Sequence, residues 1–164
     1  MIKKGDNMLD RKSSLIIQKL TERNELPMEL LLSADPSEEQ VMTYVLEGEC
    51  YVALVAQEVV GVYVLLQKDP HTSEIMNVAV AEHLQGQGIG KKLILHALEV
   101  AKLHGMKKVE IGTGNSSIGQ LALYQKCGFR MTSLVENYFT YNYPEPIFEN
   151  GIQCKDMVRL TFVF

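Results

Sequence analysis

The sequence predicts an α/β (α+β) sheet domain, and three observations carry that expectation. Apolar, β-branched runs come in succession at residues 50–56, 59–67 and 73–80. After them, helical and strand patterns alternate, which is the order of a sheet with helices packed on it. Between the third run and the next helix lies Gln85-Gly86-Gln87-Gly88-Ile89-Gly90, followed by Lys91-Lys92, so a glycine-rich turn joins a strand to a helix.

The chain has 164 residues, enough for one domain with a sizeable core. Hydrophobic residues make up 46% of it, the composition of a globular chain rather than a disordered one. The formal charge is -4, and basic residues cluster only in short pairs such as Lys3-Lys4 and Lys107-Lys108. Nucleic-acid binding is therefore not expected. No apolar run is long enough to suggest a membrane span. The polar start lacks the apolar core of a signal peptide, so a cytoplasmic protein is expected. Cys50, Cys127 and Cys154 are far apart and odd in number. They form no metal or redox spacing and read as small buried hydrophobes with reduced thiols.

Residues 1–12 are polar and charged and read as a frayed end. A first strand is expected over 14–20 and a short helix over 27–32. Asp35-Pro36-Ser37-Glu38 reads as a helix start, with Asp35 as N-cap, Pro36 as the first helical residue and Glu38 as reciprocal partner. That helix carries Val41, Tyr44 and Val45 on one side, runs to Glu47, and ends at Gly48. The runs 50–56 and 59–67, split by Gln57-Glu58, form a hairpin. Pro70 marks the turn at 68–72 before the strand at 73–80. The helix opening at Gly88 shows apolar rows at Ile89, Leu93, Ala97 and Val100 and at Ile94, Leu98 and Ala101. Gly105 is its expected C′ residue. A strand follows at 108–113, then a loop of small polar residues. Ser116 or Ser117 caps a helix that runs to Lys126. The last two strands are expected at 131–135 and 156–164, and the apolar final strand offers an edge for a homodimer. Between them, 136–155 reads as a long loop rich in aromatics (Tyr138, Phe139, Tyr141, Tyr143, Phe148), and such loops are commonly functional. The chain has no internal repeat and no linker to a second domain.

The glycine turn is the most informative stretch. Free backbone N–H groups at a helix N-terminus, with the positive end of the dipole, make an anion site. Gly86, Gly88 and Gly90 let a phosphate approach the backbone, and Lys91 and Lys92 add charge at the rim. A P-loop needs G-x-x-x-x-G-K-[ST]. Here Gly86 to Gly90 is one residue too short, and Lys92 stands where Ser or Thr should be. The dinucleotide fingerprint G-x-G-x-x-G follows its strand directly, whereas here Ala81 to Leu84 intervene. The pattern is Q-x-x-G-x-G, at Gln85, Gly88 and Gly90. With the preceding Asn77-Val78-Ala79-Val80-Ala81-Glu82-His83-Leu84, it resembles the acyl-CoA pyrophosphate loop of the GNAT superfamily of N-acetyltransferases. A second stretch is similar to the same superfamily, whose L-Y-x-x-x-G-F signature is met by Leu123, Tyr124, Gly128 and Phe129. The family often has Asn and Ala seven and four residues before that Tyr, where this chain has Ser117 and Gln120. The resemblance is close over 74–129 and elsewhere lies in the order of elements.

The resemblance implies a mostly antiparallel central sheet of about seven strands, with helices on both faces and a splayed parallel pair in the middle. It implies acetyl transfer from acetyl-CoA to a primary amine, with no metal. Backbone N–H groups of Val78, Ala79 and Val80 would hold the pantetheine arm and thioester oxygen. Gln85, Gly86, Gln87, Gly88, Ile89, Gly90 and Lys91 would cradle the pyrophosphate. Ser117 and Asn115 stand where the pantetheine arm passes. Tyr124 would be the general acid for the departing thiolate. Glu74, at the start of the splayed strand, would be the base, or else an exposed charge at a strand end. The first two helices would wall the acceptor site, which makes Glu38, Glu39, Tyr44 and Glu47 candidate contacts and a small cationic amine the favoured acceptor. The 136–155 segment would be a lid over the acceptor or plain edge packing. His71, His83, His96 and His104 show no paired spacing, no Ser–His–Asp set is present, and nothing activates Cys127. Direct attack in a ternary complex is therefore expected over an acyl-enzyme. The rival reading is an acyl-CoA-binding sensor or interaction module without turnover.

Overall fold

The computed structural model describes residues 14–164, and the frayed end expected at 1–12 lies outside them. Strands β1 (Ile16–Lys19), β2 (Glu49–Val55), β3 (Glu58–Asp69) and β4 (Thr72–Val80) follow one another antiparallel. The β2–β3 turn falls on Ala56 and Gln57, with φ of 50° and 68°. That is the left-handed geometry that matches strand twist in a tight hairpin, and it places the turn one residue earlier than Gln57-Glu58.

After β4 come helix α3 (Ile89–Leu103) and strand β5 (Lys108–Gly114), which returns parallel to β4. Helix α4 (Ile118–Lys126), strand β6 (Arg130–Val135) and strand β9 (Met157–Val163) complete a seven-stranded sheet of order β1-β2-β3-β4-β5-β9-β6. Only β4–β5 is parallel in it. The final strand is bonded to β5 on one side and β6 on the other, so the edge expected for a homodimer is already used.

Both faces of the sheet are covered. Helix α3 buries Leu93, Ile94, Ala97 and Ala101 against Tyr63, Leu65 and Ile75. Helices α1 (Met28–Ala34) and α2 (Glu38–Glu47) bury Leu31, Val41 and Val45 against Val52, Val62 and Val64. Strand β3 is therefore buried on both faces, consistent with its near-continuous apolar run. Helix α3 stops as expected. Gly105 takes φ 76°, its N–H donates to the Lys102 carbonyl, and the Met106 N–H donates to the Ala101 carbonyl. This is the doubly bonded glycine stop.

The cap of α2 differs from expectation. Ser37 is the N-cap and its hydroxyl accepts the Gln40 N–H at 3.3 Å, while Asp35 accepts the Ser37 N–H at 3.1 Å. The 136–155 segment is not a structureless loop. It holds helix α5 (Tyr138–Asn142) and a hairpin of β7 (Ile147–Glu149) and β8 (Ile152–Cys154), turned at Asn150-Gly151 with both φ positive.

The parallel pairing of β4 with β5 runs from Thr72–Lys108 to Ile75–Ile111 and then stops. On its other side, β4 skips Met76 in its register with β3, pairing Ile75 with Leu65 and Asn77 with Val64. A bulge bends a strand and sharpens its twist. The two central strands therefore part just beyond Ile75, as the splayed pair expected from the resemblance.

Candidate active site

Two cavities meet along the parted half of β4. The first, about 520 Å³, is walled by residues 78–80, the glycine turn, the start of α3, and Leu123 of α4. The second, about 590 Å³, lies between the α1–α2 corner, Glu74, the end of β5 and the α5–β8 segment. Ser33, Ala34, Val78, Gln120 and Tyr124 line both, so the two form one path with Tyr124 among the residues at the junction.

Backbone groups supply the wall of the path. The Ala81 N–H donates to the Val60 carbonyl at 2.8 Å, and Ala79 pairs with Val62 in the same register. Alternate residues of an antiparallel strand bond the same neighbour. Ala79 therefore spends its N–H on β3, and Val78 and Val80 face the gap. The Val80 carbonyl is taken by the Gln85 side-chain amide at 3.1 Å, which pins the glycine turn to the strand end. Among the described residues no strand pairs with that side of β4 beyond Ile75, so the N–H groups of Val78 and Val80 and the Val78 carbonyl remain for a ligand or water.

Gly86 and Gly88 take φ of 77° and 85°, the left-handed region where a side chain is strained, and a Cβ at either would meet nothing within 4 Å. The turn is thus shaped by backbone conformation and opens onto free space. Ile89, Gly90 and Lys91 begin α3, whose first turn carries no acidic residue, and their N–H groups have no intrahelical partner. Lys91 lines the groove, whereas Gln87 is exposed and lies outside its lining. Such a cradle fits the pyrophosphate of a CoA thioester.

Tyr124 is 4% exposed, and among the described residues nothing hydrogen-bonds its hydroxyl. Burial pushes its pKa up, and the neighbouring Cys127 and the Glu149 carboxylate act in the same direction. It is therefore a proton-bearing group at neutral pH. The L-Y-x-x-x-G-F spacing has a local cause. Gly128, at φ 100°, reverses the chain in a space where a Cβ would touch the Phe162 ring at 2.9 Å. The Phe129 N–H then donates back to the Tyr124 carbonyl at 3.1 Å.

Glu74 is 6% exposed and lines the larger cavity. One of its oxygens is 2.9 Å from Arg159 Nη2 and the other is 3.2 Å from Lys68 Nζ. It lies beside Glu110 across the parallel pair, and the same Arg159 nitrogen is 3.2 Å from Glu110. Arg159 thus bridges two neighbouring carboxylates, of which Glu74 lines the cavity and Glu110 lies outside its lining.

The remaining sequence-predicted residues divide. Ser117 lines the larger cavity. Its hydroxyl donates to Glu149 at 3.0 Å rather than capping α4. Asn115 lies outside both cavities. Its carbonyl oxygen accepts the Lys155 and Asp156 N–H groups at 2.8 and 3.0 Å, and its amide donates to the Gln153 carbonyl. It fastens the β8–β9 turn. Of the expected acceptor wall, Tyr44 lines the cavity, while Glu38, Glu39 and Glu47 are exposed and outside its lining. His83 is exposed, and His96 Nδ1 sits 2.8 Å from the Tyr63 hydroxyl. The three cysteines are free and buried, and burial pushes each thiol up, Cys50 to about 11.

Sequence reasoning missed Asp35, Lys68 and Arg159 as cavity residues, whereas Tyr138, Phe139 and Tyr143 of the segment read as a lid or edge packing do line the cavity. Asp35 was legible only as a cap. Arg159 carried a weak signal, a lone charge within an apolar strand. No helix among the described residues is long and apolar enough to cross a membrane, and no group of three or more His, Cys, Asp or Glu among them is placed to hold a metal.

Known proteins resemble the whole architecture. The model of the acetyltransferase (GNAT) family matches residues 18–129. The uncharacterized N-acetyltransferase YvbK of Bacillus subtilis (strain 168) is 56% identical over 139 residues, 85% of this chain and 90% of that one. An IAA acetyltransferase from Bacillus cereus superposes with a TM-score of 0.89 at 58% identity, covering 92% of this chain and 100% of that one. A GNAT family acetyltransferase from Elizabethkingia anophelis, solved with acetyl-CoA bound, gives a TM-score of 0.91 at 50% identity over 93% of this chain and 100% of its own. The chain belongs to the acetyltransferase (GNAT) family and is an acetyl-CoA-dependent N-acetyltransferase.

Proposed function

We propose that the enzyme acetylates a small cationic primary amine by direct attack in a ternary complex. The observation that carries this reading is the position of Tyr124, proton-bearing and without a hydrogen-bond partner among the described residues, where the two cavities join. Acetyl-CoA lies along the smaller cavity with its pyrophosphate on the glycine turn, and the amine enters through the larger one. The neutral amine attacks the thioester carbon, and the N–H groups of Val78 and Val80 receive the developing oxyanion. As the C–S bond breaks, Tyr124 gives its proton to the CoA sulfur. Glu74 is the proposed base and takes the proton released by the amine through water. The buried, proton-holding cysteines favour direct transfer over an acyl-enzyme.

Charge favours a cation. Asp35, Glu74 and Glu149 line the acceptor cavity against Lys68 and Arg159. Thiol release from acetyl-CoA against polyamines, aminoglycosides, amino acids and lysine peptides tests the reading. Saturable turnover of a cationic class is expected. Preference for acidic or neutral amino acids, or binding of acetyl-CoA without turnover of any amine, would overturn it.

A further inference from the structure

Asp35 lies at the α1–α2 corner and lines the acceptor cavity. Its Oδ1 accepts the Tyr143 hydroxyl at 2.7 Å and the Ser37 N–H at 3.1 Å, and its Oδ2 accepts the Tyr44 hydroxyl at 3.2 Å. All three donors are neutral, and among the described residues no cation pairs with it. A carboxylate offers about four acceptor positions, so one is open.

The surroundings are aromatic. Tyr44, Tyr138, Phe139 and Tyr143 line the same cavity, and the Phe139 and Tyr143 rings stack with centroids 5.7 Å apart. The Tyr138 hydroxyl makes no hydrogen bond among the described residues and lies within reach of the charges of Asp35, Glu74 and Arg159. An unpaired carboxylate among aromatic rings and phenol oxygens is the chemistry that receives an ammonium. The formal charge and the ring quadrupoles both attract a cation, and the oxygens accept its N–H groups. The cavity's own cations do not compete, since Lys68 is held by Glu74, and Arg159 by Glu74 and Glu110.

We infer that the Asp35 end of the cavity is a subsite for a second ammonium group, so that the acceptor is a diamine rather than a monoamine. The inference rests on the amine-acceptor reading above. One nitrogen reaches Tyr124 neutral and is acetylated, while the other stays charged at Asp35.

The test is a binding measurement that does not depend on turnover. A series of 1,n-diaminoalkanes, and alkylamines of matched length, is titrated into the protein saturated with CoA. At the fitting length the diamine is expected to bind about tenfold more tightly than its monoamine. Asp35→Asn is expected to remove that advantage and leave CoA binding unchanged. Equal binding of the two ligands by the wild-type protein overturns the subsite and requires no variant. An unchanged advantage in folded Asp35→Asn overturns it as well. A diamine that binds with the advantage yet is never acetylated from acetyl-CoA would sink the acceptor reading and leave the subsite standing.

Discussion

The Tyr143 hydroxyl donates to Asp35 Oδ1 at 2.7 Å, joining positions 108 residues apart. The bond ties the α5–β7 connection to the α1–α2 corner, so the two walls of the acceptor cavity hold each other. A hydrogen bond to a charged group contributes roughly 1.5–3 kcal/mol, and less where water has access. Tyr143→Phe should therefore lower the unfolding free energy by about 1–2 kcal/mol in urea denaturation. Unchanged stability would mean that the two walls do not depend on this bond.

Gly88 separates backbone conformation from ligand charge. At φ 85°, alanine is strained by roughly 1–2 kcal/mol although no atom lies within 4 Å of its Cβ. Gly88→Ala should weaken CoA binding modestly. Gly88→Glu adds the same strain and a carboxylate at the anion site, and should weaken binding by about a further tenfold or more. Calorimetric titration of CoA into the two variants reads the difference. Equal affinities would place the pyrophosphate elsewhere.

Arg159 holds Glu74 and Glu110 side by side. Removing the cation leaves two adjacent carboxylates, one of them only 6% exposed. Lys68 still pairs with Glu74 and Lys108 with Glu110, so Arg159→Met should cost about 1–2 kcal/mol of stability, less than a fully uncompensated buried charge. The double variant Arg159→Met/Glu110→Gln should recover part of that loss, because it removes the repulsion. A double variant no more stable than the single one would show that the repulsion is not the cause.

Alkaline stability follows from the buried phenols. Burial is the largest cause raising the pKa of Tyr44, Tyr63, Tyr124 and Tyr143 above the usual 10. In each, the folded value lies above the unfolded one. The stabilisation is therefore fully present below about pH 10 and declines as pH rises through the window above it. Unfolding free energy should be flat in this respect from pH 8 to 9.5 and fall steeply by pH 11, with Tyr63→Phe showing a shallower fall. Equal slopes for the two proteins would contradict this origin.

What could be read ahead of the structure was what neighbours in sequence determine. The glycine turn, the stop at Gly105 and the Tyr124–Gly128–Phe129 reversal each depend on residues within one or two helical turns, so their spacing carries their geometry. The tyrosine partners of Asp35 sit 9 and 108 positions away, and the carboxylate partners of Arg159 sit 85 and 49 away. No local pattern encodes such contacts, so Asp35 looked like a cap and Arg159 showed only as a lone charge within an apolar strand. Asn115 failed for the same reason, being claimed by backbone groups 40 and 41 residues on. The bulge at Met76 depends on the register with β3 and has no signature of its own.

The most direct measurement is single-turnover acetyl transfer by Tyr124→Phe beside an independent determination of its acetyl-CoA Kd. If Tyr124 protonates the departing thiolate, the rate should fall about a hundredfold or more while the Kd stays within about twofold. A variant that transfers acetyl at the wild-type rate would contradict the role, and the proton would have to reach the sulfur by another route.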